Sequence, residues 1–204
     1  MLEARDLNCS RGNQTLFTGL NCTAAGGEIL HVQGPNGCGK TTLLRILCGT
    51  TLADSGQVLW HGEDIRLNRT EFHSNLAYVG HSHGIKLELS PRENLQTWMD
   101  LSGRNDPADL SRTLERIGLS GAENLTCNNL SAGQRRRVAL GRLYLTRASV
   151  WILDEPLSAI DQAGSAEFES LLSRHADNGG ITILTGHETL SVDTRTVTRF
   201  VLPA

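Results

Sequence analysis

The fold of this chain is indicated most directly by eight residues, Gly34-Pro35-Asn36-Gly37-Cys38-Gly39-Lys40-Thr41. They match the pattern G-x-x-x-x-G-K-[ST] at every fixed position. The mostly apolar stretch 28–33 precedes them and predicts a strand, and leucines at helical spacing follow them as far as Leu47. A glycine-rich turn between a strand and a helix directs successive backbone N–H groups towards a phosphate.

This turn also predicts which residues bind a nucleoside triphosphate. Lys40 is expected to reach the β- and γ-phosphates and to be catalytic, and the Thr41 hydroxyl is expected to coordinate Mg²⁺. The predicted nucleotide-binding residues are Gly34, Pro35, Asn36, Gly37, Cys38, Gly39, Lys40, Thr41 and Thr42. Alone, the motif indicates a P-loop NTPase and no narrower class.

A pair of carboxylates follows a second apolar stretch. Residues 150–153 predict a buried strand, and Asp154, Glu155 and Pro156 come directly after it. Ligands of open α/β sheets bind at the carboxyl ends of the strands. Since side chains alternate along a strand, the two carboxylates must have different tasks. We expect Asp154 in the Mg²⁺ shell and Glu155 as the general base that polarises the attacking water.

The motif Leu130-Ser131-Ala132-Gly133-Gln134 predicts the start of a helix, because Ser131 and Gln134 have the spacing of a capping box. Such a helix end attracts an anion. The motif resembles the signature sequence of ABC ATPases, usually written LSGGQ, with Ala132 in a glycine position. In that family the signature helix closes over the γ-phosphate of a second protomer. The resemblance implies ATP as the nucleotide, a homodimer, and contacts from Ser131, Ala132, Gly133 and Gln134 to the ATP of the partner.

Two further stretches resemble ABC ATPase motifs in their order along the chain. Leu157-Ser158-Ala159-Ile160-Asp161 resembles the D-loop that joins the two composite sites, with Asp161 as its acidic residue. Thr185-Gly186-His187 follows a predicted strand and resembles the switch-histidine segment. The resemblance implies that His187 contacts the γ-phosphate and positions Glu155.

Two positions depart from the general ABC pattern. The loop after Val79 reads Gly80-His81-Ser82-His83-Gly84, with His81 where a glutamine is expected to meet Mg²⁺ and couple to a membrane subunit. Arg11 stands about where an aromatic residue usually stacks on adenine, and its guanidinium could stack there instead. We include both residues in the predicted ATP-binding set.

Strands alternate with helices along most of the chain, which predicts a mainly parallel sheet covered on both faces. Residues 2–9 and 15–23 predict two antiparallel strands before this core. The expected fold class is α/β: a P-loop NTPase of ABC type with N-terminal antiparallel strands and an inserted helical subdomain. We expect a single domain over 1–204, with its core at 1–88 and 126–204 and the helical subdomain at about 89–125.

Composition limits the possible partners. The 204 residues carry a net charge of -3 at pH 7, so bulk attraction to nucleic acid is not expected. The run Arg135-Arg136-Arg137 is expected to be solvated helix surface. Five cysteines without a C-x-x-C pair suit a reducing cytoplasm. No apolar run approaches the ~18 residues that span a bilayer, so any membrane function needs a partner.

Several segments are similar to the haem exporter ATPase of cytochrome c biogenesis. They are Leu2–Arg5, Thr15–Phe17, Tyr78–His81, Gly84–Lys86, Leu89–Ser90, Glu93–Leu95, Leu143–Ala148, Trp151–Pro156 and Ala159–Asp161. That family works on the cytoplasmic face of the bacterial inner membrane with two integral membrane subunits and, indirectly, a haem chaperone. The similarity implies ATP-driven haem export or release of the haem-loaded chaperone.

Three alternatives remain at this point. The first is a transporter ATPase for another substrate, such as a drug or a lipid. The second is an ABC ATPase acting on DNA or ribosomes, for which the chain has no room for long coiled coils or a second cassette. The third is a non-catalytic regulator, which the presence of Lys40, Glu155 and His187 argues against.

Overall fold

Strands and helices alternate after an N-terminal hairpin. The computed structural model describes residues 1–103, 106–192 and 197–202. The strands are β1 (Leu2–Arg11), β2 (Gln14–Ala24), β3 (Ile29–Gln33), β4 (Ser55–Trp60), β5 (Glu63–Asp64), β6 (Leu76–Val79), β7 (Val150–Leu153), β8 (Ile181–Thr185) and β9 (Val197–Val201). The helices are α1 (Lys40–Leu47), α2 (Arg69–Ser74), α3 (Pro91–Leu101), α4 (Pro107–Arg116), α5 (Ala132–Leu145) and α6 (Gln162–Asp177), with a 3₁₀ turn at Cys127–Asn129.

The site lies on a parallel sheet with the strand order β6-β7-β8-β3-β9. All residues of β7 and β8 are buried, as expected for strands covered on both faces. β7, β8 and β3 are neighbours, so their carboxyl ends at Leu153, Thr185 and Gln33 lie side by side. Three motifs that are distant in sequence therefore meet at one edge of the sheet.

A second sheet, with the order β2-β1-β4-β5, is antiparallel. Buried residues of β1, including Leu2, Ala4 and Cys9, share one hydrophobic cluster with Leu44 of α1 and Ile152 of β7. This cluster fixes α1, and with it the phosphate-binding turn, between the two sheets.

Helix α5 belongs to two further hydrophobic clusters. Its residues Ala139 and Leu140 pack with Phe168 of α6 in the cluster that contains Leu153 of β7. Its residue Val138 packs in a cluster with α3 and α4. The helix that starts at the signature motif is therefore anchored both to the central sheet and to the helical segment.

The expected fold class is confirmed: a mixed α/β chain with an antiparallel sheet and a parallel sheet. Strand β5 and helix α2 were not predicted. The division into core and helical subdomain stays a prediction. It includes residues 104–105, 193–196 and 203–204, which lie outside the described residues. Within the described ranges, no helix combines the length and hydropathy needed to cross a membrane.

Candidate active site

The phosphate-binding turn, residues 34–39, connects β3 to α1. At Gly34, where φ is 152°, a Cβ would lie 2.8 Å from Cys38 Sγ and 2.9 Å from the Leu202 carbonyl oxygen. Gly39 precedes the helix with φ 100°, in the left-handed region that favours glycine. The two glycines allow the backbone to fold closely over the N-terminus of α1.

The ammonium group of Lys40 lies inside this turn. It is buried, and its Nζ donates hydrogen bonds to the carbonyl oxygens of Gly34 at 2.7 Å and Pro35 at 3.0 Å. The first turn of α1 contains no acidic residue. Because the helix N-terminus adds partial positive charge, the turn suits a polyphosphate.

A hydrogen-bonded chain joins this turn to the carboxylates after β7. Thr41 Oγ1 donates to Asp154 Oδ2 at 2.8 Å, and Thr185 Oγ1 donates to Asp154 Oδ1 at 2.8 Å. The backbone N–H of Glu155 donates to Thr185 Oγ1 at 2.9 Å. We call Thr41, Asp154, Thr185 and Glu155 the polar chain. It fixes the end of β7 relative to α1.

Two members of the polar chain fit a magnesium ion. The Thr41 hydroxyl and the Asp154 carboxylate supply the hard oxygen atoms that Mg²⁺ prefers. Among the described residues no group of three or more His, Cys, Asp or Glu side chains could hold a metal. An ion at Thr41 and Asp154 would therefore need phosphate and water oxygens as its other ligands, as is usual for Mg²⁺.

Glu155 and His187 share a cavity of about 130 Å³ at the ends of β7 and β8. Glu155 is half-buried with φ 49°, and His187 is exposed. Beneath them, the buried imidazole of His31 lies with Nε2 3.1 Å from the Gly186 carbonyl oxygen, next to His187. Burial lowers the pKa of His31, so the neutral ring, with Nε2–H as donor, fits this contact. His31 therefore supports the segment that carries His187.

The signature motif begins α5 as predicted. Ser131 Oγ accepts a hydrogen bond from the Gln134 N–H at 3.1 Å, and Gln134 Oε1 accepts one from the Ser131 N–H at 2.8 Å. Ser131 and Ala132 are exposed. A Cβ at Gly133 would lie 2.4 Å from the carbonyl oxygen of Ala159. The start of α5 is therefore accessible on one side and in close contact with residues 157–161 on the other.

Asp161 caps helix α6. Its Oδ1 accepts a hydrogen bond from the Gly164 N–H at 2.9 Å, the expected contact of an N-cap residue. Two residues earlier, Ala159 has φ 64°. Asp161 thus shapes the end of the 157–161 segment, and its proposed role across a dimer remains a prediction.

Residues 17–158, more than half of the chain, match the ABC transporter family. The matched range contains the phosphate-binding turn, the signature motif and the Asp154–Glu155 pair. The chain belongs to the ABC transporter family. Among curated ABC proteins it is similar to the cytochrome c biogenesis ATP-binding export protein CcmA of Aliivibrio fischeri, with 47% identity and 95% of each chain covered. The Escherichia coli K12 protein of the same name is 47% identical over 94% of this chain and 91% of its own length.

Solved structures of ABC proteins share the fold. An ABC transporter ATP-binding protein from Pyrococcus furiosus aligns with a TM-score of 0.84 and 24% identity, covering 98% of this chain and 96% of its own. The ATP-binding cassette MJ0796, a dimer in a post-hydrolysis state bound to ADP and Pi, aligns with a TM-score of 0.80 and 20% identity. The alignment covers 92% of this chain and 88% of the MJ0796 chain.

The two positions that depart from the ABC pattern lie on the surface. Arg11 donates hydrogen bonds to the carbonyl oxygens of Ser10 at 2.8 Å and Leu52 at 3.1 Å, and lies 3.9 Å from Asp54. His81 is exposed in the loop after β6. These contacts do not test whether Arg11 or His81 binds ATP, so both assignments stay predictions.

The expectation that Arg135-Arg136-Arg137 is helix surface is wrong for Arg136. Its side chain is only 3% exposed and contacts the backbone after β6 and β7. A run of arginines carries no signal that distinguishes its one buried member. Two other residues near the site, Thr185 and His31, were also missed as functional candidates, because their importance depends on contacts between distant segments.

Proposed function

We propose that this chain is the ATP-hydrolysing subunit of an ABC transporter for cytochrome c biogenesis, powering haem export or release of a haem-loaded chaperone. The polar chain carries the proposal, because it links the phosphate-binding turn to the carboxylate that would activate water. The similarity to CcmA proteins along nearly the whole chain supports the biogenesis pathway.

Nucleotide binding begins at the phosphate-binding turn. The backbone N–H groups of residues 34–39 and the Lys40 ammonium hold the phosphates, and Lys40 exchanges its carbonyl partners for phosphate oxygens. Thr41 and Asp154 would hold Mg²⁺, which supplies neutralisation of phosphate charge. Arg11 and His81 complete the proposed ATP-binding set.

Hydrolysis depends on Glu155 and His187. Glu155 accepts a proton from a water molecule whose oxygen attacks the γ-phosphorus in line with the β–γ bridging bond. That bond breaks with its electron pair going to ADP, and inorganic phosphate forms. In this proposal His187, which lines the same cavity as Glu155, contacts the γ-phosphate and orients Glu155.

A second copy of the chain would complete each site. Ser131, Ala132 and Gly133 begin a helix that has no acidic residue in its first turn, and this end suits the γ-phosphate of ATP held by a partner. The dimeric arrangement of the similarly folded cassette MJ0796 supports a homodimer. Asp161 and the 157–161 segment would lie between the two sites.

The membrane partner needs an apolar surface on this chain. A groove of about 500 Å³ is lined by residues of β6, α3 and α5. Trp98 is 41% exposed and Leu101 77% exposed on its wall. Arg142 stacks on Trp98 and donates a hydrogen bond to the His83 carbonyl oxygen in the loop after β6. We place an apolar segment of the integral membrane subunits in this groove, on the cytoplasmic face of the inner membrane.

The variant Glu155→Gln tests the enzymatic part. It keeps the shape of the side chain and removes the base, so turnover should fall by about 100-fold or more while ATP still binds. The uncleaved ATP should hold two copies together, which size-exclusion chromatography with MgATP would detect. Unchanged turnover would remove Glu155 from the role of base.

Purification of a tagged chain from membranes tests the partner. Wild-type protein and the control Leu67→Ala, which truncates an exposed leucine outside the groove, should retain the membrane subunits of the haem pathway. The double variant Trp98→Ala/Leu101→Ala should lose them and still bind ATP. Recovery of subunits for a drug or lipid exporter would instead support transport of another substrate.

A further inference from the structure

Arg136 connects helix α5 to the ends of two strands. Its Nη2 donates a hydrogen bond to the Asp154 carbonyl oxygen at 2.6 Å, and its Nε donates to that of Pro156 at 3.2 Å. Its Nη1 donates to the carbonyl oxygen of Gly80 at 2.8 Å, where the loop after β6 begins. One buried guanidinium therefore holds three backbone groups of the active-site edge.

Two of these groups flank Glu155. The φ of Glu155 is 49°, a left-handed conformation that side-chain-bearing residues rarely adopt. Such a conformation persists only where the surrounding contacts determine it. Arg136 binds the carbonyl groups of the residues before and after Glu155, and Thr185 Oγ1 accepts the hydrogen bond of the Glu155 N–H. These contacts account for the strained backbone of the proposed base.

An arginine suits this position better than any other cation. Its planar guanidinium directs several N–H donors along fixed and different directions, whereas a lysine ammonium is a compact group on a flexible stem. Burial lowers the pKa of Arg136, and the charges of Asp154 and Glu155 oppose that shift. Because an arginine guanidinium stays protonated in proteins, Arg136 keeps its charge beside the acidic pair.

We propose that Arg136 is a positioning residue for ATP hydrolysis, which sets the backbone of Glu155 and joins it to the loop beginning at Gly80. The inference rests on the proposed function, because it assumes that Glu155 activates water. Arg136 acts through Glu155 and is not proposed to touch ATP.

The experiment compares Arg136→Gln and Arg136→Lys with the wild-type transporter complex. Loss of the three guanidinium hydrogen bonds should lower kcat by about 100-fold in Arg136→Gln, since misplacing a reacting group by about 1 Å has an effect of this size. Arg136→Lys keeps the charge without the planar guanidinium and should retain about a tenth of the wild-type kcat. The Kd of a fluorescent ATP analogue should change by less than about threefold in both, because the phosphate-binding turn is untouched.

The control is Leu172→Ala, a buried residue of α6 in the second hydrophobic cluster. It should lower the unfolding midpoint by leaving a cavity, and it removes none of the hydrogen bonds that Arg136 makes to residues 80, 154 and 156. A purely structural role of Arg136 would therefore make the Arg136 variants resemble it. Should Arg136→Gln not fold, Arg136→Lys alone is compared with this control.

A kcat that falls no further in the Arg136 variants than in Leu172→Ala would overturn the proposal. So would nucleotide affinity that weakens in step with kcat. Absence of ATP hydrolysis by the wild-type complex would refute the proposed function itself. If both Arg136 variants hydrolyse ATP at the wild-type rate, only the positioning role is refuted.

Discussion

Gly133→Ala tests the close contact between the signature motif and the 157–161 segment. The added Cβ would lie 2.4 Å from the carbonyl oxygen of Ala159, below the 3.0 Å under which such contacts are essentially never found. The obstructing atom belongs to the backbone, so rotation of a side chain cannot relieve the clash. Either the start of α5 or the 157–161 segment must move by roughly 0.6 Å or more.

Two opposing contributions decide the effect of Gly133→Ala on stability. Alanine in place of glycine favours a helix by about 1 kcal/mol. Overpacking at a tight contact costs about 1–3 kcal/mol. The free energy of unfolding should therefore fall by no more than about 2 kcal/mol, and the protein should remain folded. Because the displaced residues lie at the proposed dimer site, turnover should fall by about 10- to 100-fold.

Urea unfolding and steady-state ATPase activity measure these two effects separately. The control Gly121→Ala likewise adds a methyl group to a glycine, here at a φ of 85°, but nothing lies within 4 Å of its Cβ. It should lose about 1–2 kcal/mol of stability through backbone strain and keep its turnover. Wild-type turnover in Gly133→Ala would refute the argument that this contact positions the signature helix.

Three further predictions follow from contacts in the same site. Thr185→Val keeps the shape of the side chain but removes the acceptor for the Glu155 N–H and the donor to Asp154. The free energy of unfolding in urea should fall by about 1–3 kcal/mol and turnover by about tenfold. If neither quantity changes, the role given to the polar chain is contradicted. Lys40→Ala should abolish turnover and weaken binding of a fluorescent ATP analogue, whereas undiminished activity would exclude Lys40 from catalysis. Burial lowers the pKa of His31 from 6.5, so below that pH the unfolded chain binds more protons than the folded chain. The free energy of unfolding should therefore fall as the pH drops from 6.5 towards the folded pKa. His31→Gln should flatten this part of the pH profile, and identical profiles in urea titrations would count against it.

Features that depend on neighbouring residues were predictable from sequence. The phosphate-binding turn follows from glycines at fixed spacing between a strand and a helix. The capping box predicted the first residue of α5, Ala132, because the Ser131 and Gln134 side chains satisfy backbone groups only a few residues away. The strand at 150–153 followed from its continuous apolar run.

Features that depend on distant segments were not predictable in the same way. Arg136 is buried because the carbonyl groups of residues 80, 154 and 156 converge on it, and only the folded sheet brings them together. Thr185 is important because β8 lies beside β7. Helix α2 was missed for a different reason: its six residues contain a single buried apolar side chain, Phe72, and so carry no periodic pattern.

The contacts of α5 give the signature motif a mechanical connection to the proposed base. At its start, Gly133 touches the carbonyl of Ala159, and one turn later Arg136 holds the carbonyls on both sides of Glu155. Glu155 and Ala159 both have positive φ, so the short segment between them has little freedom to absorb a displacement of the helix. A phosphate that binds at the start of α5 and shifts this helix must therefore also shift the backbone of Glu155. In the proposed dimer, this arrangement would tie closure of one composite site to the geometry of the proposed base in the other.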